Sequence, residues 1–565
     1  MDKDCYLIKE RISILLLQKI IRDIGNVDLL CLLMTCKSWY YDFRLKYSNL
    51  ITFNDQLDCI DPTAFMTTAN KKYFITNTCT MNAFLPIYNN TISSTILIDD
   101  NNNCNNNNNT FSTAFINLKD SSSSSSSTTC LTTTLKHLYV YEMKDLKLFD
   151  TLEPNSLETL KLKQSYDSTS SSSLLEQQKQ TIKSLQIVYS EGLKFNFPNL
   201  TSLEISFNGW GEEKKGFLFP NTLVSLDLSI QSWESGNAFN LKNCISMQSL
   251  RIVKTNKRDP AGKKKRRARA QDWLPPFLKS LHLTDEEDYP TILPTTLTKL
   301  SMAIDKKGMP NNYLPPNLCH LKLYHYHKKI VIQDTLIPNG LEKFTFVNVY
   351  NVNSLSFLPS SLKKIDLLTL DHKKTERGWL SKFNNLEKLM IRESFQMDFP
   401  PTIKSVHYHS ISTGPLYIPI TSTKLSITIQ DSNQSLEKLN IKIIDNQNNK
   451  KKEKVNNNNN LFQLPNLRKL YIEIEDDQGD RFRIDDIITK SNIQTIIFST
   501  FMYTRIDIRR LGGDHILLID RNTILGGIIT LKKDNNNNYQ PLFIKFNRLL
   551  QNPKNLYISF TNQPK

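Results

Sequence analysis

Two histidine pairs, His325/His327 and His407/His409, are the first residues in this 565-residue chain with a spacing that suits chemistry. An i, i+2 step puts both imidazoles on one face of a strand, where a divalent metal could bridge them. Metal sites need three or four converging ligands, and neither pair has a third Cys, His or carboxylate at ligand spacing. Exposed strand-face polar residues are the simpler reading.

A second signal is the run GKKKRRARAQDW at 262–273, with Lys263, Lys264, Lys265, Arg266, Arg267 and Arg269. It fits a nuclear import signal, a phosphate contact or a solvated insertion loop, because clustered cations report charge and not a partner. Trp273 is its only aromatic, so a base-stacking platform is missing and nucleic acid is disfavoured. Covalent chemistry has no residues to attach to. The phosphate-cradling G-x-x-x-x-G-K-[ST], the G-x-G-x-x-G and the nucleophile-bearing G-x-S-x-G are all missing. Gly512-Gly513 and Gly526-Gly527 read as turns, and Asp476-Asp477 and Asp485-Asp486 as solvated turns without a Gly-rich calcium loop. A non-enzyme without a cofactor is expected.

The elements that position these residues come from a repeated phrase. LPPFLKSLHL from Leu274, LPTTLTKLSM from Leu293 and LPPNLCHLKL from Leu314 share the frame L-P-x-x-L-x-x-L-x-L. Self-similarity at about 20 residues marks a solenoid whose units are too small to bury their apolar face alone. The frame's first apolar residue recurs at Leu135, Leu157, Ile182, Leu200, Leu223, Leu278, Leu297, Leu318, Leu341, Leu362, Leu386, Ile403, Leu436, Leu467, Ile493 and Leu556, and more weakly at Met247 and Leu425. In LKSLHL, Leu278, Leu281 and Leu283 should point inward, with the last two alternating as in a strand. Proline stands three residues ahead of the first apolar position at Pro154, Pro220, Pro275, Pro294, Pro315, Pro338, Pro359, Pro400 and Pro553, where it suits the turn onto a strand.

The N-terminal segment has a different period. Leu16, Leu17, Ile20, Ile21 and Ile24 recur at helical steps, Gly25 can end that helix, and Asp28 can cap the next. Leu29, Leu30, Leu33, Cys36, Trp39 and Phe43 then make a second apolar helical face. The polar tracts at 101–109 and 121–127 read as loops, with short strands in TISSTILIDD and TAFINL between and before them. DHILLIDRNTILGGIITLKK reads as two strands of a hairpin.

The run QKII…VDLLCLLMTCKSWYYDF resembles the F-box, matching it at Ile20, Ile21, Asp28, Leu29, Leu30, Cys36, Lys37 and Trp39; Ser13 and Leu15 stand where that family has proline and glutamate. The repeats resemble leucine-rich repeats, and LPSSLKKIDL from Leu358 resembles the FNIP repeat without its F-N-x-P-I half. The F-box resemblance implies an adaptor-binding surface at Ile20, Ile21, Leu29, Leu30, Leu33 and Trp39, docking on the adaptor subunit of a cullin–RING ubiquitin ligase. A cap on the solenoid end is the plainer alternative.

The expected fold is an α/β repeat: a curved leucine-rich-repeat-like solenoid with a parallel sheet on its concave face, preceded by a small all-α module. The layout is 1–50 helical module, 51–130 irregular region, 131–480 solenoid with insertions at 254–272 and 446–460, and 481–565 degenerate repeats and cap. Lys279, His282, Lys299, His320 and Lys322 are the candidate concave-face contacts for an unknown target protein. Net charge is +16, of which the 263–269 run holds six and KKKEK at 450–454 a net three, leaving a modest +7 for the rest. Nine cysteines without C-x-x-C or framework spacing, and no apolar stretch of spanning length, point to a soluble protein of the cytoplasm or nucleus with no membrane contact.

Overall fold

The computed structural model describes residues 82–83, 95–99, 113–117, 135–142, 152–163, 174–189, 197–207, 219–230, 241–254, 273–284, 290, 292–304, 309–310, 312–325, 337–347, 355, 357–367, 378–392, 394–410, 415–429, 441–444, 464–474, 481–500, 505–520, 525–546 and 556–559. The F-box-like segment at 1–50 and the basic run at 263–269 lie outside them. Two units make up the chain, Ser94–Arg392 and Met1–Ser93 with Glu393–Lys565.

Ser94–Arg392 is a β-solenoid. Its described strands run from Thr95–Asp99 and Thr113–Asn117, which precede the first clear repeat, to Lys388–Ile391. Each pairs parallel with the next, one strand per repeat. Register follows from period-two alternation, since a one-residue slip would turn every leucine outward. Leu281, Leu300, Leu321, Phe344, Ile365 and Leu389 occupy one registered row, and each is at most 2% exposed. The first apolar residue of the frame is still deeper: Leu278, Leu297, Leu318, Leu341, Leu362 and Leu386 are all 0% exposed. Burying one such side chain contributes about 1.5–3 kcal/mol, so three per repeat fall well short of the cost of ordering about 20 residues, and a repeat is stable only against its neighbours.

The prolines act through their carbonyls. Leu223, Leu297, Leu318 and Leu341 each donate their backbone N–H to the proline three residues back, at 3.1–3.2 Å, closing a turn that delivers the chain to the strand. Neighbouring turns are then tied together by the residue just before the first leucine. At three turns that residue is a Ser or Thr whose hydroxyl donates to the previous repeat's first-leucine carbonyl, Thr222 to Leu200 (2.8 Å), Thr296 to Leu278 (2.8 Å) and Ser361 to Leu341 (2.7 Å), whereas Thr181 donates to Gln178 within its own turn. Where it is Asn, the longer amide reaches two residues further back, Asn199 to Gln180 (2.6 Å) and Asn317 to Thr295 (3.3 Å). Buried Gln178 does similar work, accepting from the backbones of Ser156 and Leu157 and donating to Glu153. An asparagine after the strand was the expected backbone clamp, with Asn208 as its clearest case; Asn208 lies outside the described residues, and these clamps come from the turn side instead. The 254–272 insertion leaves the register untouched, because Ser249–Lys254 pairs directly with Ser280–Leu283.

The second unit begins with the same plan. Ser405–Tyr408, Lys424–Ile429, Lys469–Ile474 and Thr495–Thr500 are parallel; Arg505–Gly512, His515–Asp520 and Leu525–Thr530 then add antiparallel. Gly513, with φ of 57°, sits in the tight turn between the first two of these added strands, where a left-handed residue is required. The expected hairpin corresponds to the last two.

Five sequence expectations change here. Gly526-Gly527 is no turn, since both residues lie inside the strand Leu525–Thr530, registered with Ile519 and Leu518. Leu425 is the frame's second apolar residue, not its first: Val406 registers with it, and Ser422 fills the first position, fully buried. Leu436 lies outside the described residues, and its following strand, Ile441–Ile444, pairs with Leu416–Pro419 in a separate small sheet while Lys424–Ile429 pairs past it with Lys469–Ile474. Leu556 opens no repeat, since Leu556–Ser559 runs antiparallel to Phe543–Phe546, itself paired with Arg481–Arg483. Asp485 is no solvated turn. It is 1% exposed, accepts both Arg483 Nε (3.1 Å) and Nη2 (3.0 Å), and takes the Leu542 N–H at 2.9 Å, so it fastens the start of the short helix Asp485–Lys490 to that antiparallel sheet.

One register position therefore hosts residues of opposite character. Leu297→Ala should lower stability by roughly 2–5 kcal/mol through the cavity it leaves. Ser422, whose buried hydroxyl has no hydrogen-bond partner, should gain about 1 kcal/mol as Ser422→Ala. Chemical denaturation of the two variants checks this, and a destabilised Ser422→Ala would contradict the assignment.

Candidate interaction surface

In the strands from Thr159–Leu162 to Lys388–Ile391 the residues between the inward apolar ones face out, and register lines them into rows. One row, just before the strand's first inward residue, reads Ser184, Ser202, Ser225, Ser249 and Ser280, then Lys299, His320, Lys343, Lys364 and Lys388. Lys299, Lys343 and Lys388 are exposed, His320 and Lys364 half-buried. Like charges directly opposite on neighbouring strands destabilise a sheet, so this order is a cost to the fold. Lys364 has a carboxylate at the limit of ion pairing, Asp366 at 4.0 Å. Among the described residues no carboxylate lies within ion-pair reach of Lys299, Lys343 or Lys388.

The next row out, between the two inward residues, is mixed. Gln186 donates to Glu204 (2.8 Å), and Arg251 pairs with Asp227 (2.7 Å). Burial, with Asp227 nearby, raises the Glu204 carboxyl above its usual range. His282 follows, packed edge-on to Tyr324 at 6.0 Å between centroids, and Lys322 lies over the same ring at 4.8 Å. Burial depresses His282 to about 4, helped by Arg251 and Lys322 and opposed by Asp227. His320 is lowered too, by burial first and then by Lys343 and Lys299.

On the row before the strands, Lys363 bridges Glu342 at 2.7 Å, and Glu158 lies between Lys183 at 2.8 Å and Lys136 at 3.7 Å. Hydrogen bonding to their lysines holds Glu342 and Glu158 below the usual carboxylate range.

Of the sequence candidates, Lys299 and His320 are register neighbours, His282 and Lys322 share the adjacent row, and Lys279 is exposed on the turn ahead of its strand. Lys343, Lys364 and Lys388 were missed. Their signal was legible: in LTKL, LCHL, LEKF, LKKI and LEKL the residue before the second apolar position is basic five times running. His407 and His409 stack at 4.2 Å in the other unit, where His407 Nε2 lies 3.4 Å from Thr428 Oγ1 and Thr428 donates to Glu473 at 3.2 Å. Among the described residues no three His, Cys, Asp or Glu converge to hold a metal. None of the described helices is long and apolar enough to cross a membrane.

No family model matches the chain, and no curated protein matches it. Among solved structures it is similar to "The crystal structure of CroV588 a novel circular LRR protein structure", at 15% identity and a TM-score of 0.35, over 69% of this chain and 59% of that one. The chain thus spans less than two thirds of that structure's length.

The depressed His282 makes folding pH-dependent. Between about 6.5 and about 4 the unfolded chain holds more protons at this site, so stability present above pH 6.5 is lost as pH falls through that window. His282→Gln should flatten that part of a denaturation-versus-pH profile. An unchanged slope would show that other groups carry it.

Proposed function

We propose that this protein is a non-catalytic interaction receptor that holds a target protein on the exposed face of its parallel ladder. One observation carries the reading: within Ser94–Arg392 the inward rows stay apolar while the outward rows change from strand to strand, giving a rigid sheet with a variable surface. A sheet this regular needs only the inward pattern to fold, so its outward composition is free to serve recognition. The reading extends to an F-box-like N-terminus, supported by the D-L-L and C-K-S-W residues of 28–39, which would join the receptor to a cullin–RING ubiquitin ligase. It also places the chain in the cytoplasm or nucleus, supported by cysteines without framework spacing and by the import-like run 263–269.

Affinity purification of the full chain tests the linkage. Wild type should recover the ligase adaptor, and a Leu29→Ala, Leu30→Ala, Trp39→Ala variant should lose it. Recovery of no adaptor, alongside a positive F-box control, would leave a scaffold without ligase linkage.

A further inference from the structure

We infer that the row Lys299, His320, Lys343, Lys364 and Lys388 is a docking track for an extended acidic segment of a partner polypeptide, laid across the strands. The inference rests on the receptor reading and adds the chemistry of the partner. Adjacent strands lie about 4.8 Å apart, so the four lysines and His320 span roughly 19 Å, the length of about six extended residues. Nothing in the fold calls for cations there, since five consecutive earlier strands place serine at the same register. An anion laid along the row would relieve its repulsion.

The row's flanks select the class of anion. Glu342 and Glu387 sit one position before the row and Asp366 two positions after it, in the same flanking rows as Lys363 and Lys322, so carboxylates interrupt the positive charge on both sides of the row. A nucleic-acid backbone brings phosphates on a broader front and would meet those carboxylates, and the row offers no stacked aromatic platform for bases. Carboxylate or phosphate side chains on an extended peptide can follow a single line, met by lysine ammoniums on flexible stems. His320 adds a readout. Lys299, Lys343 and Lys364 oppose its protonation and Glu342 favours it; an acidic segment on the row would tip that balance towards the imidazolium, so binding should tighten as pH falls from 7.5 to 6.

Fluorescence anisotropy of the full chain with a short labelled peptide of alternating Glu and Ser tests this, beside its Gln/Ser twin and a single-stranded oligonucleotide of equal charge. The acidic peptide should bind, and the twin should not. The variant Lys299→Ser, Lys343→Ser, Lys388→Ser should lose on the order of tenfold in affinity and most of the salt dependence. Serine already occupies that register upstream, and an unchanged thermal melt verifies the fold. Lys183→Ser with Lys242→Ser, off the row, should bind as wild type, and His320→Gln should remove the pH slope. Equal binding by the triple variant, no preference over the Gln peptide, or tighter binding of the oligonucleotide would overturn the inference. A target protein that binds wild type and the triple variant equally well would overturn it too, while leaving the receptor reading intact.

Discussion

Every other feature of the Ser94–Arg392 unit depends on one apolar side chain per repeat being sealed at the end of a turn. Leu278, Leu297, Leu318, Leu341, Leu362 and Leu386 are each fully excluded from water; Leu297, Leu318 and Leu341 follow turns closed on their own proline carbonyl, Leu386 one closed on the Phe383 carbonyl, and Leu362 one tied through Ser361 to the repeat before. That seal fixes where the strand begins, and the strand's start fixes which residues face out. A solenoid is stable only through its neighbours, so a seal repeated from turn to turn does the work that a single large core does elsewhere.

Much of this was legible from the sequence because the repeat's period and the strand's period are written in leucines. Insertions did not obscure it, since Ser249–Lys254 pairs directly with Ser280–Leu283 across the long step before Leu278. Reading failed where a residue's identity and its position disagree. Ser422 occupies a leucine's place, so the frame was shifted onto Leu425. Asp485 is a carboxylate inside the protein, made tolerable by a bidentate guanidinium that no local pattern announces. The clamps of Thr222, Thr296, Asn199 and Asn317 were visible as a run of Ser, Thr and Asn before the first leucine, yet small polar residues at a turn look generic until their carbonyl partners are known.

The candidate surface was only half legible for a related reason. Alternation showed that Lys299, His320 and Lys322 face out, but a row is a property of register between strands, and register is not written in any one repeat. Only when Lys299, His320, Lys343, Lys364 and Lys388 are placed side by side does a line of charge emerge. The inward rows explain why the protein folds, and the outward rows differ from strand to strand.

The central claim is that the exposed ladder of Ser94–Arg392 is the binding surface. Hydrogen–deuterium exchange of the full chain, alone and with a captured partner, tests it most directly. Slowed exchange in Lys299–Ile304, His320–His325, Lys343–Val347 and the strands beside them is the predicted result. Protection confined to segments outside the ladder, with those strands exchanging as in the free protein, would contradict it.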